Sequence, residues 1–248
     1  MSQSKIDLPS LRALAVSIVS LFGLSACGGA PQPGSVSVSS RDFVLLPCAP
    51  AVAAPCTLAV AGGKRVLLGA PSGADAFMSE EDLRQIDAVL LFSLRARDVE
   101  GLDSVRNRSW QAGRREPLLV IGPAGTTEFV EGLNTAFEIT DSLLIVDQGM
   151  PAGGFDAAVL TGTDLPLSGD WAVGFDTGDF SVQARDLGIG IAHIRLIYQD
   201  QVDLVGVCEA WIADVGTMSE LERPLGCPES EVSAWPMKAP IWFVRAGE

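Results

Sequence analysis

The sequence predicts an α/β fold, mixed β-sheets flanked by helices, and three observations point there. Short apolar runs rich in β-formers alternate with stretches of helical composition across short loops, the pattern of sheets covered by helices. Two of the early runs are joined through Gly62-Gly63, a hairpin signal. Of the 248 residues, 48% are hydrophobic, enough for one well-buried core and not obviously for two.

Residues 1–26 read as an export signal: Lys5 and Arg12 form a basic flank, residues 13–24 an apolar run, and Leu24-Ser25-Ala26-Cys27 a cleavage site. The run is too short to span a bilayer comfortably, since a spanning helix needs about 20 apolar residues. Leu-Ser-Ala-Cys resembles the lipobox of bacterial lipoproteins. That resemblance implies cleavage before Cys27, lipid on its sulfur and its new amino terminus, and so a membrane partner reached through Cys27. Gly28, where an Asp would retain the protein, implies an outer-membrane address facing the periplasm. An uncleaved anchor or an ordinary secretory signal is the alternative. Residues 27–40 are too rich in Gly, Pro and Ser to bury a face and read as a tether, which leaves residues 41–248 for the folded domain.

Net charge is −14, so the summed field repels nucleic acid and anionic headgroups at long range, and nucleic acid is not an expected partner. Export to an oxidising compartment permits disulfides. Cys48, Cys56, Cys208 and Cys227 then allow three pairings, with the local pairs Cys48–Cys56 and Cys208–Cys227 placed first. Structural zinc is the rival, but the pairs lack the close Cys-x-x-Cys spacing of such sites.

In chain order, residues 42–46 are a short apolar run, and 56–60 and 65–68 are the strands of the Gly62-Gly63 hairpin. Residues 79–85 form a helix with Ser79 as N-cap and Asp82 as the capping-box carboxylate. Strand 86–92, helix 101–112, the Gly-Arg-Arg-Glu-Pro stop at 113–117 and strand 118–121 follow. Residues 122–126 then open a helix running to about residue 137. Further strands are expected at 143–146, 157–160, 180–184, 191–198 and 204–208, with a last one at 241–244 packing Trp242 and Phe243 into the sheet. An exposed contact surface around Trp235, Trp242 and Phe243 is the alternative there. No internal repeat or membrane-spanning segment is evident.

Residues 86–102, IDAVLLFSLRARDVEGL, read as strand, polar turn and helix. In that register they resemble the metallo-β-lactamase superfamily, in particular its ribonuclease Z-like and arylsulfatase-like hydrolases, where "IDAVLLTH" leads into His-x-His-x-Asp-His and Gly-Gly-Leu. Residues 108–134, RSWQAGRREPLLVIGPAGTTEFVEGLN, resemble the same family nearly residue for residue. So does the opening Pro-Cys-Thr, strand, Gly-Gly-Lys, strand. The resemblance covers residues 55–134 clearly and extends loosely to 208. It implies an αββα sandwich, two packed mixed sheets flanked by helices, truncated at the C-terminal end because no late strand ending in Thr-His has a counterpart. It also marks what is replaced. Ser93, Arg95, Arg97 and Asp98 stand at the positions of His, His, Asp and His, Gly69-Ala70-Pro71 at Asp-Ala-Gly, and Cys208 at the Asp that bridges the metals.

Metal-assisted hydrolysis needs several imidazoles or carboxylates converging on a cation that lowers the pKa of bound water. This chain has one histidine, His193. Of the aligned positions only Asp98 and Cys208 could ligate a metal, since arginine offers no lone pair. The expectation is therefore a pseudoenzyme with no catalytic residue and no cofactor, acting as a binding or structural module. The rival is a phosphodiesterase- or arylsulfatase-type hydrolase using one zinc or manganese ion on Asp98, Cys208 and nearby carboxylates, or ligands from another subunit.

Arg95 and Arg97 are the candidate anion-binding pair for a small anionic ligand or protein partner. Pairing with Asp98, Asp87 or Asp75 inside the vacated pocket, or plain solvation, is the simpler account. Arg106, Arg108, Arg114 and Arg115 form a second basic cluster that a polar helix face with a basic stop explains. His193 shares a strand face with Arg195, and Ser93 as a nucleophile lacks a Gly-x-Ser-x-Gly setting. The loop at residues 122–125 is too short to cradle phosphate.

Overall fold

The computed structural model describes residues 36–48, 56–166, 169–186, 192–199, 201–207, 222–225 and 239–246. They form two sheets. The first has seven strands: β1 (Phe43–Pro47), β2 (Thr57–Ala61), β3 (Lys64–Leu68), β4 (Ala88–Leu90), β5 (Leu118–Gly122), β6 (Leu160–Asp164) and β12 (Ile241–Val244). Their spatial order is β12-β1-β2-β3-β4-β5-β6, antiparallel from β12 to β3 and parallel from β3 to β6. The second holds β7 (Ala172–Asp176), β8 (Phe180–Asp186), β9 (Ala192–Tyr198), β10 (Gln201–Val207) and β11 (Glu222–Leu225) in the order β11-β10-β9-β8-β7. Only β10 and β11 run parallel there.

The antiparallel half begins as the sequence implies. Gly62 (φ 60°) and Gly63 (φ 78°) supply the two left-handed residues of a tight hairpin turn, which leaves Ala61 opposite Lys64. Cys48 and Cys56 form a disulfide across the β1–β2 connection, the pairing placed first, while Cys208 and Cys227 lie outside the described residues. Asp42 joins the two ends of the domain: its carboxylate accepts from the amides of Ser39 and Ala246, both at 2.6 Å, beside the β1–β12 ladder.

In the parallel half each strand passes to its neighbour through helix. Helix α1 (Glu80–Arg84) lies between β3 and β4, α2 (Ala96–Val99) and α3 (Leu102–Gln111) between β4 and β5, and α4 (Thr126–Gln148) between β5 and β6. Crossovers of the usual right hand that advance the same way along a sheet put their helices on one face. The second sheet takes the other. Its inward residues Phe180, Val182, Ala184, Ile194, Leu196 and Tyr198 are buried in one core with β1 to β5. Phe43 sits at the junction, 6.2 Å from Phe180 and 5.9 Å from Tyr198 between ring centroids. The approach is close enough that a Cβ on Gly174 would lie 2.9 Å from Ile121 Cγ2. This is the α/β sandwich of two packed mixed sheets with helices that the sequence predicts. The expected C-terminal truncation, and any helical layer outside the second sheet, fall on residues outside those described.

Local expectations hold where the signal is local. Ser79 and Asp82 form the reciprocal capping box of α1, and α3 matches the expected helix to within a residue or two. Residues 143–146, expected as a strand, instead belong to α4, which is 23 residues long rather than ending near residue 137. Leu144 and Ile145 pack on a small cluster of Trp110, Ala157 and Ala158, while Leu143 and Val146 point outward. That split is helical, and the helix stops only at Gly149 (φ 87°). Residues 156–158 form a single 3₁₀ turn, so the strand expected at 157–160 starts at Leu160. Strands β7 and β11 were not expected at all. No helix among the described residues is long and apolar enough to cross a membrane.

Arg106 of α3 is buried and forms a two-pronged ion pair with Asp141 of α4, with Phe137 beneath its guanidinium at 5.0 Å. Arg114 is buried next to it, donating to Ser109 Oγ and to the Glu116 carbonyl. Burial, helped by the charge of Arg106, lowers the Arg114 pKa to about 10. Arg108 reaches Asp75, and Arg115 is exposed. Arg106 therefore ties α3 to α4 and Arg114 closes the turn after α3, both buried where a polar helix face would expose them, while Arg108 and Arg115 stay on the surface as that account expects.

Candidate functional site

The site to which the sequence points lies at the C-terminal end of β4, where chemistry concentrates in open α/β sheets. Strand pairing ends at Leu90, after which Leu91 and Phe92 stay buried and Ser93 begins the loop to α2. Asp98, in the first turn of α2, points back into that loop. Its Oδ2 accepts a short hydrogen bond from Ser93 Oγ, which in turn accepts from the Arg95 amide at 3.1 Å. Ser93 and Asp98 are 2% and 3% exposed, so neither is presented to a substrate. Backbone bonds hold the frame: the Ala70 amide donates to the Asp98 carbonyl at 3.1 Å, and the Gly101 amide to the Ala70 carbonyl at 2.8 Å. Gly101 is required by this contact, because a Cβ there would stand 2.0 Å from the Pro71 carbonyl oxygen.

Arg95, at the N-cap of α2, and Arg97, within α2, are both exposed, with Arg97 Nε 3.7 Å from Asp98 Oδ1. Two of their three expected partners are committed elsewhere. Asp87 accepts from Lys64 Nζ at 3.1 Å and from the Arg65 amide at 2.8 Å, while Asp75 pairs with Arg108 at 2.8 Å. The structure thus brings Ser93, Arg95, Arg97 and Asp98 together in the short segment formed by the loop after β4 and helix α2. Cys208 and Cys27 lie outside the described residues.

These side chains do not fit the paired metals that the resemblance implies. A guanidinium has no lone pair, Ser93 is occupied as a donor, and the one carboxylate is engaged by Ser93 and faces Arg97. Among the described residues, no three His, Cys, Asp or Glu side chains converge closely enough to hold a metal ion.

Two other candidates also resolve. The amides at the start of α4, which could have met a phosphate, are taken by Asp164: Thr127 N donates to Oδ1 at 2.7 Å and Gly125 N to Oδ2 at 3.1 Å. Those bonds, Thr127's first, hold the Asp164 carboxyl below its usual pKa. His193 is buried on β9, with Nδ1 3.5 Å from an Arg185 guanidinium nitrogen and its ring 5.6 Å from that of Trp171. Its strand neighbour Arg195 donates to Gln183 and lies over the Trp171 ring at 4.5 Å, with Arg185 at 4.7 Å from the same ring. Burial, then the charge of Arg185, lowers the Arg195 pKa. Sequence reasoning put His193 and Arg195 on one face by strand alternation. It missed Trp171, which sits beside a strand that its sequence did not announce.

No protein-family model matches the chain, and no curated protein sequence matches it. Solved structures do. The metallo-β-lactamase fold protein YhfI from Bacillus subtilis is 11% identical with a TM-score of 0.46 over 67% of this chain and 63% of that one. The short form of human tRNase Z is 17% identical with a TM-score of 0.49 over 67% and 68%. A diphosphatase of the PhnP family is 11% identical with a TM-score of 0.38 over 63% and 62%. The chain spans less than two thirds of the length of YhfI. At such identities the likeness is one of fold and carries no activity across. The chain is similar in fold to solved proteins that include a metallo-β-lactamase fold protein.

Proposed function

We propose that this chain is a non-hydrolytic binding or structural module, exported and held to the outer membrane, on its periplasmic side, by lipid at Cys27. Arg95 and Arg97 receive the anionic group of a small ligand or protein partner, and nucleic acid is not a partner. The observation that carries this reading is the buried Ser93–Asp98 hydrogen bond, with two exposed guanidiniums at the start of the helix that it ties to the loop. The loop is thereby fixed by a local polar bond, which makes a metal unnecessary for its shape. Two arginines two residues apart supply the forked donors suited to carboxylate or phosphate. The export half of the reading rests on the sequence of residues 1–27 alone.

The test begins with elemental analysis of the chain purified without chelator, assayed beside it on a generic phosphodiester and an aryl sulfate. Substoichiometric metal with no turnover is the expected result. Metal near one equivalent with turnover would overturn the proposal in favour of a single-ion hydrolase. Binding is read by titrating inorganic phosphate while following the backbone amides of residues 93–98. Arg95→Ala with Arg97→Ala should abolish the response and leave the fold intact. For the anchor, incorporation of labelled palmitate should be lost in Cys27→Ala.

A further inference from the structure

Helix α4 has a second apolar side that the fold does not use. Its inner side carries buried Val130 and Asp141 and the packed Phe129, Leu133, Leu144 and Ile145. On the outer side Gly132, Ala136, Ile139, Leu143 and Val146 are all exposed, spaced four, three, four and three residues apart. That alternation averages 3.5 residues and is the seam of a helix that pairs with another helix. Seven large hydrophobic residues are exposed among those described. Three lie on this seam, Ile139 at 75%, Leu143 at 58% and Val146 at 80%, and Met150 and Phe155 follow just beyond its end. Scattered exposed apolar side chains are ordinary, but a continuous line in helical register is not. At Gly132 an added Cβ would meet nothing within 4 Å, which leaves room for a large side chain from a partner.

Charge selects the occupant. Residues 126–148 contain no Lys or Arg, and Glu128, Glu131, Glu138 and Asp147 are exposed along them. A second copy would bring the same carboxylates to the seam and a further −14 behind them, and an anionic membrane would be repelled in the same way. We propose that the outer face of α4 docks an amphipathic helix of a partner protein, apolar at three- and four-residue spacing and flanked by Lys and Arg. From Gly132 to Val146 the seam is about 21 Å long, a match for roughly 15 residues of partner helix. It does not rest on the reading of Arg95 and Arg97. Those residues lie near the other end of α4, where a Cβ on Gly125 would be 3.3 Å from Leu94, and Leu143 is about 27 Å further along the axis.

The experiment uses the full chain and two synthetic 21-residue probes sharing a Leu/Ile seam, one with Lys and one with Glu at the flanking positions. The Lys-flanked probe should bind at least tenfold tighter, weakening as salt rises. Leu143→Gln with Val146→Gln should reduce its binding at least tenfold with circular dichroism and melting unchanged, both positions being exposed. Charge reversal by Glu131→Lys, Glu138→Lys and Asp147→Lys should switch the preference to the Glu-flanked probe. Equal binding of both probes, or binding indifferent to the seam substitutions, overturns the proposal. So does an unliganded dimer that Leu143→Gln with Val146→Gln dissociates, which makes a second copy the occupant. Binding to phosphatidylglycerol vesicles that the same pair abolishes, without binding of either probe, overturns it in favour of a membrane.

Discussion

Arg106 and Asp141 are both nearly inaccessible, so each would be an uncompensated buried charge without the other. Asp141→Asn or Arg106→Met alone should cost about 3–5 kcal/mol, read by urea denaturation, whereas replacing both with apolar residues of similar volume should recover most of that loss. A pair whose single and double replacements cost the same would mean that its charge is not what matters. Two other carboxylates contribute to the acid limb of stability. At Asp42, burial disfavours the charged form, but the amides of Ala246 and Ser39 outweigh it and the pKa is lowered; at Asp164 the Thr127 and Gly125 amides do the same. A depressed folded pKa means a contribution fully present above the unfolded value near 3.9 and lost as pH falls through the folded one. Asp42→Asn should therefore be less stable than the parent at pH 7, with the gap narrowing on acidification below about pH 4. The residue scale was legible only when partners are neighbours in sequence. Ser79 and Asp82 are three apart and could be named in advance. Arg106 and Asp141 are 35 apart, and nothing in either neighbourhood announces the other.

At the scale of elements, the junction of α2 and α3 depends on one glycine. With its would-be Cβ 2.0 Å from the Pro71 carbonyl, Gly101→Ala must push the loop at residues 69–71 off the helix start. The expected cost is about 3 kcal/mol, checked by chemical denaturation, and it should unseat Asp98 as well, since the same loop donates to the Asp98 carbonyl. The Cys48–Cys56 bridge closes a short loop, so Cys48→Ala with Cys56→Ala, or reduction, should lower stability by about 2–3 kcal/mol. Element errors came from runs whose pattern fits two structures. Leu143-Leu144-Ile145-Val146 is a four-residue apolar run, and periodicity over so short a window does not separate strand from helix. What decides is that Trp110 and the 3₁₀ turn receive only its middle two residues. Strand β7, AVGFD, is short and carries an internal glycine, which weakens any strand signal. Its place is set by antiparallel pairing with β8 and by a close approach to the other sheet, where a Cβ on Gly174 would stand 2.9 Å from Ile121 Cγ2.

At the scale of the whole molecule, the two-sheet frame and the site loop were legible because both depend on order along the chain, while the docking seam was hidden inside a segment assigned partly to a strand. What shapes the site loop is the larger question, and it has a thermodynamic answer. A ligand that binds the folded state alone stabilises it by RT ln(1 + [L]/Kd), about 2.7 kcal/mol at a concentration of 100 Kd. If the Ser93–Asp98 bond is the device that shapes the loop, melting should be indifferent to EDTA and to added zinc or manganese at concentrations that saturate a real site. Asp98→Asn, which keeps the size and loses the charge, should then lower the melting temperature by the same amount with metal as without. A melting temperature that rises with zinc, and a zinc effect that Asp98→Asn removes, would mean that Asp98 is a metal ligand and that a cation shapes the loop.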